Sequence, residues 1–258
     1  MLIVADVHGE AAALRRLAGH GAPILVLGDL INMIDYRTND GIVREITGGE
    51  FVDAYVALRT AGEWAASQAM WDAFRSQHDP EALRRKFSGA VEHQYAEVCA
   101  ALDGAEASVT YGNVDRPDVM QRMLPETARF VDSEVVEIEG WSVGFAGGGL
   151  QSLNTPGEVD DETMAAKLAD LAEVDVLCTH VAPAIPALAD DVISGRAKGS
   201  AVLYDHIATT QPPFHFFGDI HQPKALRWRI GETLSRNAGY FRATGRALRF
   251  GERLRDAD

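Results

Sequence analysis

Short apolar runs that stop at a glycine or a polar residue recur along the chain, at residues 2–5, 24–27, 108–111, 174–178 and 214–217. Each is too short for a helix and rich in β-branched or aromatic residues, which predicts buried strands. Amphipathic stretches lie between several of them. Residues 10–19 follow the first run. Val91, Tyr95, Val98 and Leu102 fall on one helical face at i, i+4, i+7 and i+11. Residues 160–172 read as another helix, and Ser200, Leu203, Tyr204 and Ile207 mark a further one. Residues 131–139 and 141–146 flank Gly140 as a hairpin, and 226–230 with 233–236 flank Gly231-Glu232 as a second. Such βα units mixed with hairpins predict an α/β chain, a sandwich of sheets covered by helices rather than a barrel of eight βα repeats.

One stretch is out of proportion: the chain from Asp29 to Asn113 is far longer than a single helical crossover requires. Gly48-Gly49 precedes Phe51, Tyr55 and Leu58 on one face, and Trp64, Trp71 and Phe74 follow at compatible spacing. Asp79-Pro80-Glu81 is a helix start, with Asp as N-cap and Pro in the first position. These features predict a helical insertion over roughly residues 41–88. Three roles are open to it: a cap over a site, a surface for a homo-oligomer, or extra helices packed on the core.

Composition narrows the classes. With 47% hydrophobic and 24% charged residues the chain can bury a sizeable core. Its 24 basic and 38 acidic residues leave a net charge of −14, which argues against non-specific nucleic-acid binding. A local phosphate site stays open, because bound cations reverse the sign of a pocket. Cys99 and Cys178 sit in apolar stretches and read as buried thiols, not a disulfide framework. No apolar run has membrane-spanning length, and the first residues carry no signal-peptide pattern, so a cytoplasmic location is expected.

The chemistry gathers where the runs end. Asp6-Val7-His8-Gly9 follows the first, Gly28-Asp29 the second, Gly112-Asn113-Val114-Asp115 the third, Thr179-His180 the fourth and Gly218-Asp219-Ile220-His221 the fifth. If each pair continues its strand, Asp6 with His8 and Asp219 with His221 point the same way. Carboxylates, imidazoles and one amide suit borderline to hard divalent ions and not a soft thiolate site. Asp6, His8, Asp29, Asn113, His180, Asp219 and His221 are too many ligands for one such ion. They suit two ions bridged by a carboxylate.

The order D-x-H, GD, GN, H, G-x-x-H resembles the calcineurin-like metallophosphoesterase superfamily, whose motifs are D-x-H, G-D, G-N-H-D or G-N-x-D, H and G-H-x-H. The resemblance runs from Asp6 to His221. It implies a single metallophosphoesterase domain over residues 1–258 with an αββα sandwich and a two-metal site at the sheet ends. Carried over, Asp6, His8 and His221 hold the first ion, Asp29 bridges, and Asn113, His180 and residue 219 hold the second. Mn is the leading metal, with Fe, Ni, Zn or Mg as alternatives. A hydroxide shared by the metals would attack phosphorus in line. The expected substrate is a small phosphoester, and a phosphodiester rather than a phosphomonoester.

Two positions depart from the family pattern. Val114 stands where a His often protonates the leaving group, which calls for a good leaving group or an acid from elsewhere. Asp115, Tyr36 and the unassigned histidines are candidates. Asp219 replaces the first His of G-H-x-H and either ligates the second ion or turns away. Arg116 either binds a phosphate oxygen and acts in catalysis, or pairs with Asp115 or Asp118. Asn32 and Asn237 are further pocket candidates with core or turn roles as alternatives, and Gly147-Gly148-Gly149 reads as a flexible rim loop. The rival function is a non-catalytic metal-binding or protein-binding scaffold on the same fold. A nuclease fits the chemistry but lacks a basic track. The protein Ser/Thr phosphatases carry D-R-G after the bridging Asp, whereas this chain has Asp29-Leu30-Ile31.

Overall fold

The computed structural model describes residues 1–152, 154–171, 173–192 and 197–251. Two mixed sheets lie face to face, and helices cover their outer faces. In the first sheet Leu2–Val4, Ile24–Leu27, Ala107–Thr110 and Ala128–Phe130 run parallel, with Ile3 opposite Leu25 and Leu25 opposite Ser108. Leu248–Arg249 closes its edge antiparallel to Leu2–Val4. In the second sheet Phe214–Phe217 and Val176–Thr179 form the parallel centre, between Thr233–Asn237 on one side and Trp141–Ala146 on the other. The outer strands pair antiparallel with their neighbours, Arg227–Ile230 with Thr233–Asn237 and Glu134–Ile138 with Trp141–Ala146.

Alternation along the strands builds three apolar layers. Ile3, Leu25 and Leu27 meet Val143, Phe145, Val176, Cys178 and Phe216 between the sheets. Leu2, Val4, Ile24 and Val26 face the other way, against Leu14, Tyr95, Val98 and Leu102. Leu177 and Ala146 of the second sheet meet Met164, Leu168, Leu203 and Ile207. Fully burying each large aliphatic or aromatic side chain contributes about 1.5–3 kcal/mol. The arrangement is the αββα sandwich expected from the sequence.

Both hairpins form. Ile138 pairs with Trp141 across Glu139-Gly140, whose φ angles of 52° and 78° are those of a type I′ turn. Ile230 pairs with Thr233 across Gly231-Glu232. The helix expected at 160–172 is Asp161–Ala169, with the Asp160 carboxylate accepting from the Thr163 amide at 2.8 Å; Ala172 lies outside the described residues.

The insertion is helical throughout: Ile42–Thr47, Gly49–Thr60, Trp64–Ser76 and Pro80–Ala100. Asp79 caps the last of these at the Ala82 amide, 2.7 Å away. No break occurs near residue 88. The helix continues through Val91, Tyr95 and Val98 into the main core, so insertion and crossover share one helix. Val43, Val52 and Val56 make a small core of their own, with Phe51, Trp71 and Phe87 packed against it. No described helix is long and apolar enough to cross a membrane.

Candidate metal centre

The carboxyl ends of parallel strands in an open α/β sheet are where ligands bind. Here five such ends from two sheets converge. Asp6 and His8 follow Leu2–Val4, Asp29 follows Ile24–Leu27, and Asn113 follows Ala107–Thr110. His180 follows Val176–Thr179, and Asp219 with His221 follows Phe214–Phe217.

The convergence does not arise from extended backbone. Asp6, His8, Asp29 and Asp219 have φ of 57°, 42°, 54° and 63°. Such left-handed conformations are costly for non-glycine residues and gather at functional sites. Hydrogen bonds to neighbouring loops hold them. The Asp6 amide donates to Gly28 O at 3.1 Å, and the His8 amide to Asp29 O at 2.8 Å. Gly112 is required for space: a Cβ there would lie 2.2 Å from Asp29 Oδ1 and 2.6 Å from His180 Cε1.

Two groups of candidate ligands result, sharing Asp6. One is Asp6, His8 and His221; the other is Asp6, Asp29 and His180. In each, the ligand atoms lie within 4.8 Å of one another. Asp29 stands between them, Oδ2 at 3.6 Å from His8 Nε2 and Oδ1 at 3.5 Å from His180 Nε2. Asn113 Oδ1 is 3.2 Å from His180 Nε2. His8 Nδ1 bonds Ile31 O at 3.0 Å, and His180 Nδ1 bonds Leu27 O at 2.8 Å. A carbonyl accepts only from N–H, so Nδ1 carries a proton in both rings, and Nε2 is the atom of each ring that could ligate an ion once it carries no proton. His221 lies flat against Tyr240, with centroids 3.9 Å apart.

Asp6 Oδ2 is buried and has no hydrogen-bond partner. A buried carboxylate oxygen without a donor is costly unless a cation meets it. Burial works against the Asp6 charge, yet the His221 hydrogen bond and three imidazoles bring it to about 2. Burial also opposes a charged His180, but Asp29, Asp219 and Asp6 together raise that ring to about 9. The centre therefore favours positive charge. With the orphaned oxygen and the donor set, its residues fit divalent ions.

Two expectations, for Asp115 and for Gly147-Gly148-Gly149, are corrected, and Asp219 takes one of its two alternatives. Asp115 is not presented to a substrate. Its Oδ2 accepts from the amides of Asp29 and Gly112, both at 2.8 Å, and its Oδ1 from Leu30 N and Tyr95 Oη, both at 3.0 Å. It is fully buried and fixes the backbone that carries Asp29. Burial, then the Asp29 charge, raises it to about 6 against these donors. Asp219 belongs to neither ligand group; its Oδ1 accepts from Lys198 Nζ at 2.8 Å. Gly147, Gly148 and Gly149 are buried, with Gly148 N on Tyr111 O at 2.8 Å and Gly149 N on Gly157 O at 2.9 Å, so they form no flexible rim.

The remaining candidates are placed as follows. Arg116 caps Pro117–Met123, its amide donates to Tyr95 Oη at 2.6 Å, and among the described residues it forms no ion pair with Asp115 or Asp118. Asn237 has a turn role, with Nδ2 on Ile220 O at 2.9 Å and Oδ1 accepting from Gly239 N at 2.7 Å. Asn32 Nδ2 donates to Asp40 at 3.0 Å. A cavity of about 70 Å³ opens beside the centre, lined by His8, His221, Tyr240, Asn32, Tyr36 and Arg37 among others. All of its lining residues lie outside 41–88.

Sequence reasoning missed Lys198, Tyr240 and Arg242. Arg242 donates to His8 O at 2.5 Å and to Asp35 and Asp40 at 2.8–2.9 Å, which pins the first loop from behind. No local pattern marks these residues, since their partners are far away in sequence.

No family model and no curated protein matches the chain. Solved structures share its fold. One crystal structure superposes with TM-score 0.60 at 15% identity, covering 93% of this chain and 90% of its own. Another, TT1561 of Thermus thermophilus, superposes with TM-score 0.53 at 14% identity, covering 93% and 89%.

Proposed function

We propose that this protein is a divalent-metal-dependent phosphoesterase acting on small phosphodiesters. The observation that carries the reading is the pair of Asp/His groups sharing Asp6, with the buried Asp6 Oδ2 left without a protein donor. Asp6, His8 and His221 would hold one ion, and Asn113 and His180 the other, with Asp29 between the two. Bound ions supply Lewis acidity toward phosphoryl oxygens and a nucleophile at neutral pH.

The chain's own residues do the rest. Asp29 separates the two cation positions with a full negative charge. The Val114 amide donates to Asp29 Oδ1 at 3.1 Å and fixes which way that carboxylate turns. Asp115 holds the Asp29 and Gly112 backbones together and is a positioning residue. Arg116 follows this loop directly and offers its guanidinium to a phosphoryl oxygen. Val114 cannot move a proton, so the preferred substrate is an ester whose alcohol leaves without strong acid assistance. Tyr36, half exposed, lines the same cavity and carries a hydroxyl that could give a weaker assist.

The second reading is a metal-binding scaffold without turnover. The engagement of Asp219 by Lys198 favours it, because one expected ligand is already satisfied. A turnover screen separates the two. Purified protein is supplied with Mn, Ni, Mg or Zn and tested on aryl phosphomonoesters, aryl phosphodiesters and cyclic nucleotides. Hydrolysis of diesters above monoesters with Mn is expected. Metal binding with no turnover on any of them leaves the scaffold.

A further inference from the structure

Asp219, at the edge of the centre, forms a close ion pair with Lys198. Lys198 Nζ stands 2.8 Å from Asp219 Oδ1, and the Asp219 side chain is 5% exposed. Both partners are preset by the backbone. The Lys198 amide donates to Ala189 O at 3.0 Å, and the next residues, Gly199–Ser200, pair with Ala182–Pro183. The Asp219 amide donates to Asp6 Oδ1 at 3.2 Å, and Gly218 N to His180 O at 2.9 Å. Little conformational freedom is lost in making this contact, so it is stronger than an exposed ion pair.

The charge count is informative. The resembled family pattern has an imidazole where Asp219 stands. A carboxylate with its ammonium has the same net charge as a neutral imidazole, but its lone pair is already taken. A divalent ion that draws on Asp219 meets the ammonium as a like charge a few Å away. The Lys198 side chain is 36% exposed, so it has a route outward.

We infer that Lys198 is a built-in cation that competes with the second divalent ion for Asp219, so that the centre holds one ion tightly and a second one weakly. This rests on the metal-dependent reading above. Among the described residues Lys198 makes its ion pair with Asp219 and none with Asp6, His8 or His221, although its charge reaches Asp6 and His221; these three form the tight site. Asp29, Asn113 and His180 form the weak site, which gains Asp219 only when Lys198 moves away.

The test is Mn titration of the full chain after chelator treatment, by calorimetry, for wild type, Lys198→Met, Lys198→Arg and Lys198→Met with Asp219→Asn. Wild type should show two classes of site. Removing the ammonium should tighten the weaker class by about 10-fold or more, the worth of one charge-assisted hydrogen bond, and the tighter class by much less. Lys198→Arg should behave as wild type, and adding Asp219→Asn should cancel the gain. A weaker class that Lys198→Met leaves unchanged, or loosens, overturns the competition while the metal reading stands. No Mn bound by any variant overturns both.

A second measurement uses wild type alone and so does not depend on a variant folding. Acylation of Lys198 by a small activated ester, read by peptide mass against Lys224, should rise only as the weaker class fills. Constant labelling through both steps contradicts the proposal.

Discussion

His8 Nε2 faces His221 Nε2 across 3.2 Å, although 213 residues separate the two in sequence. The His8 Nδ1 proton is committed to Ile31 O, so the neutral His8 ring offers a lone pair toward its neighbour. Asp6 Oδ1 lies 3.6 Å from the same His221 nitrogen. A proton on His221 Nε2 makes this contact a hydrogen bond to His8, and a divalent ion held by His8, His221 and Asp6 would take that proton's place.

Mn should therefore stabilise the fold. At free Mn of about 100 times Kd, binding to the native state alone adds about 2.7 kcal/mol. Thermal melts with and without Mn should show the rise, and Asp6→Asn should abolish most of it. An Mn-independent melting temperature in wild type contradicts the ligand assignment.

Asp29→Asn should cut turnover by about 100-fold or more, as removal of a preorganised electrostatic group does. The amide can still accept from the Val114 N–H, so the loop should keep its shape. Circular dichroism and phosphodiester hydrolysis on the same preparation check this. Near-normal turnover would mean that Asp29 does not bridge.

Asp115→Asn should act on stability first. Its carboxylate collects three backbone amides and one hydroxyl, and an amide nitrogen in place of either oxygen would face donors. A loss of about 2–5 kcal/mol in urea unfolding is expected. A variant of unchanged stability that loses the alkaline limb of its pH–rate profile would restore Asp115 as the acid.

The five strands and the order of polar residues at their ends were legible because buried strands and their terminating motifs are local patterns. Asp6 and His8 were legible as partners, though for a different reason than expected. They meet through left-handed turns tied to Gly28 and Asp29, not through extended backbone. The pairing of Asp219 with Lys198 and the enclosure of Asp115 were not legible. Both are set by tertiary contacts, the second across 85 and 86 residues to Leu30 and Asp29. The continuous helix Pro80–Ala100 was read as two pieces, because the Asp79 cap and the Val91–Leu102 face are separate signals on one element.

Acid should weaken the fold through His215. Burial, with His206 nearby, lowers this ring to about 3, and it is held neutral between Thr179 Oγ1 at 2.9 Å and Ser235 Oγ at 2.8 Å. The unfolded chain takes up a proton here below about pH 6.5 and the folded chain does not. The stabilisation is complete above that pH and is lost as pH falls toward about 3. Unfolding free energies from urea titrations between about pH 7 and about pH 4.5 should fall more steeply for wild type than for His215→Asn, by up to about 1.4 kcal/mol per pH unit. Parallel slopes would show that His215 titrates normally.

The most direct measurement is hydrolysis of bis(4-nitrophenyl) phosphate by chelator-stripped protein, before and after Mn is restored, alongside Asp29→Asn. Stripped wild type should release no nitrophenolate, turnover should rise and saturate with Mn, and Asp29→Asn should reach at most about one-hundredth of that rate. Mn-loaded, folded wild type that releases no nitrophenolate, or turnover unaffected by stripping, would contradict the metal-dependent reading.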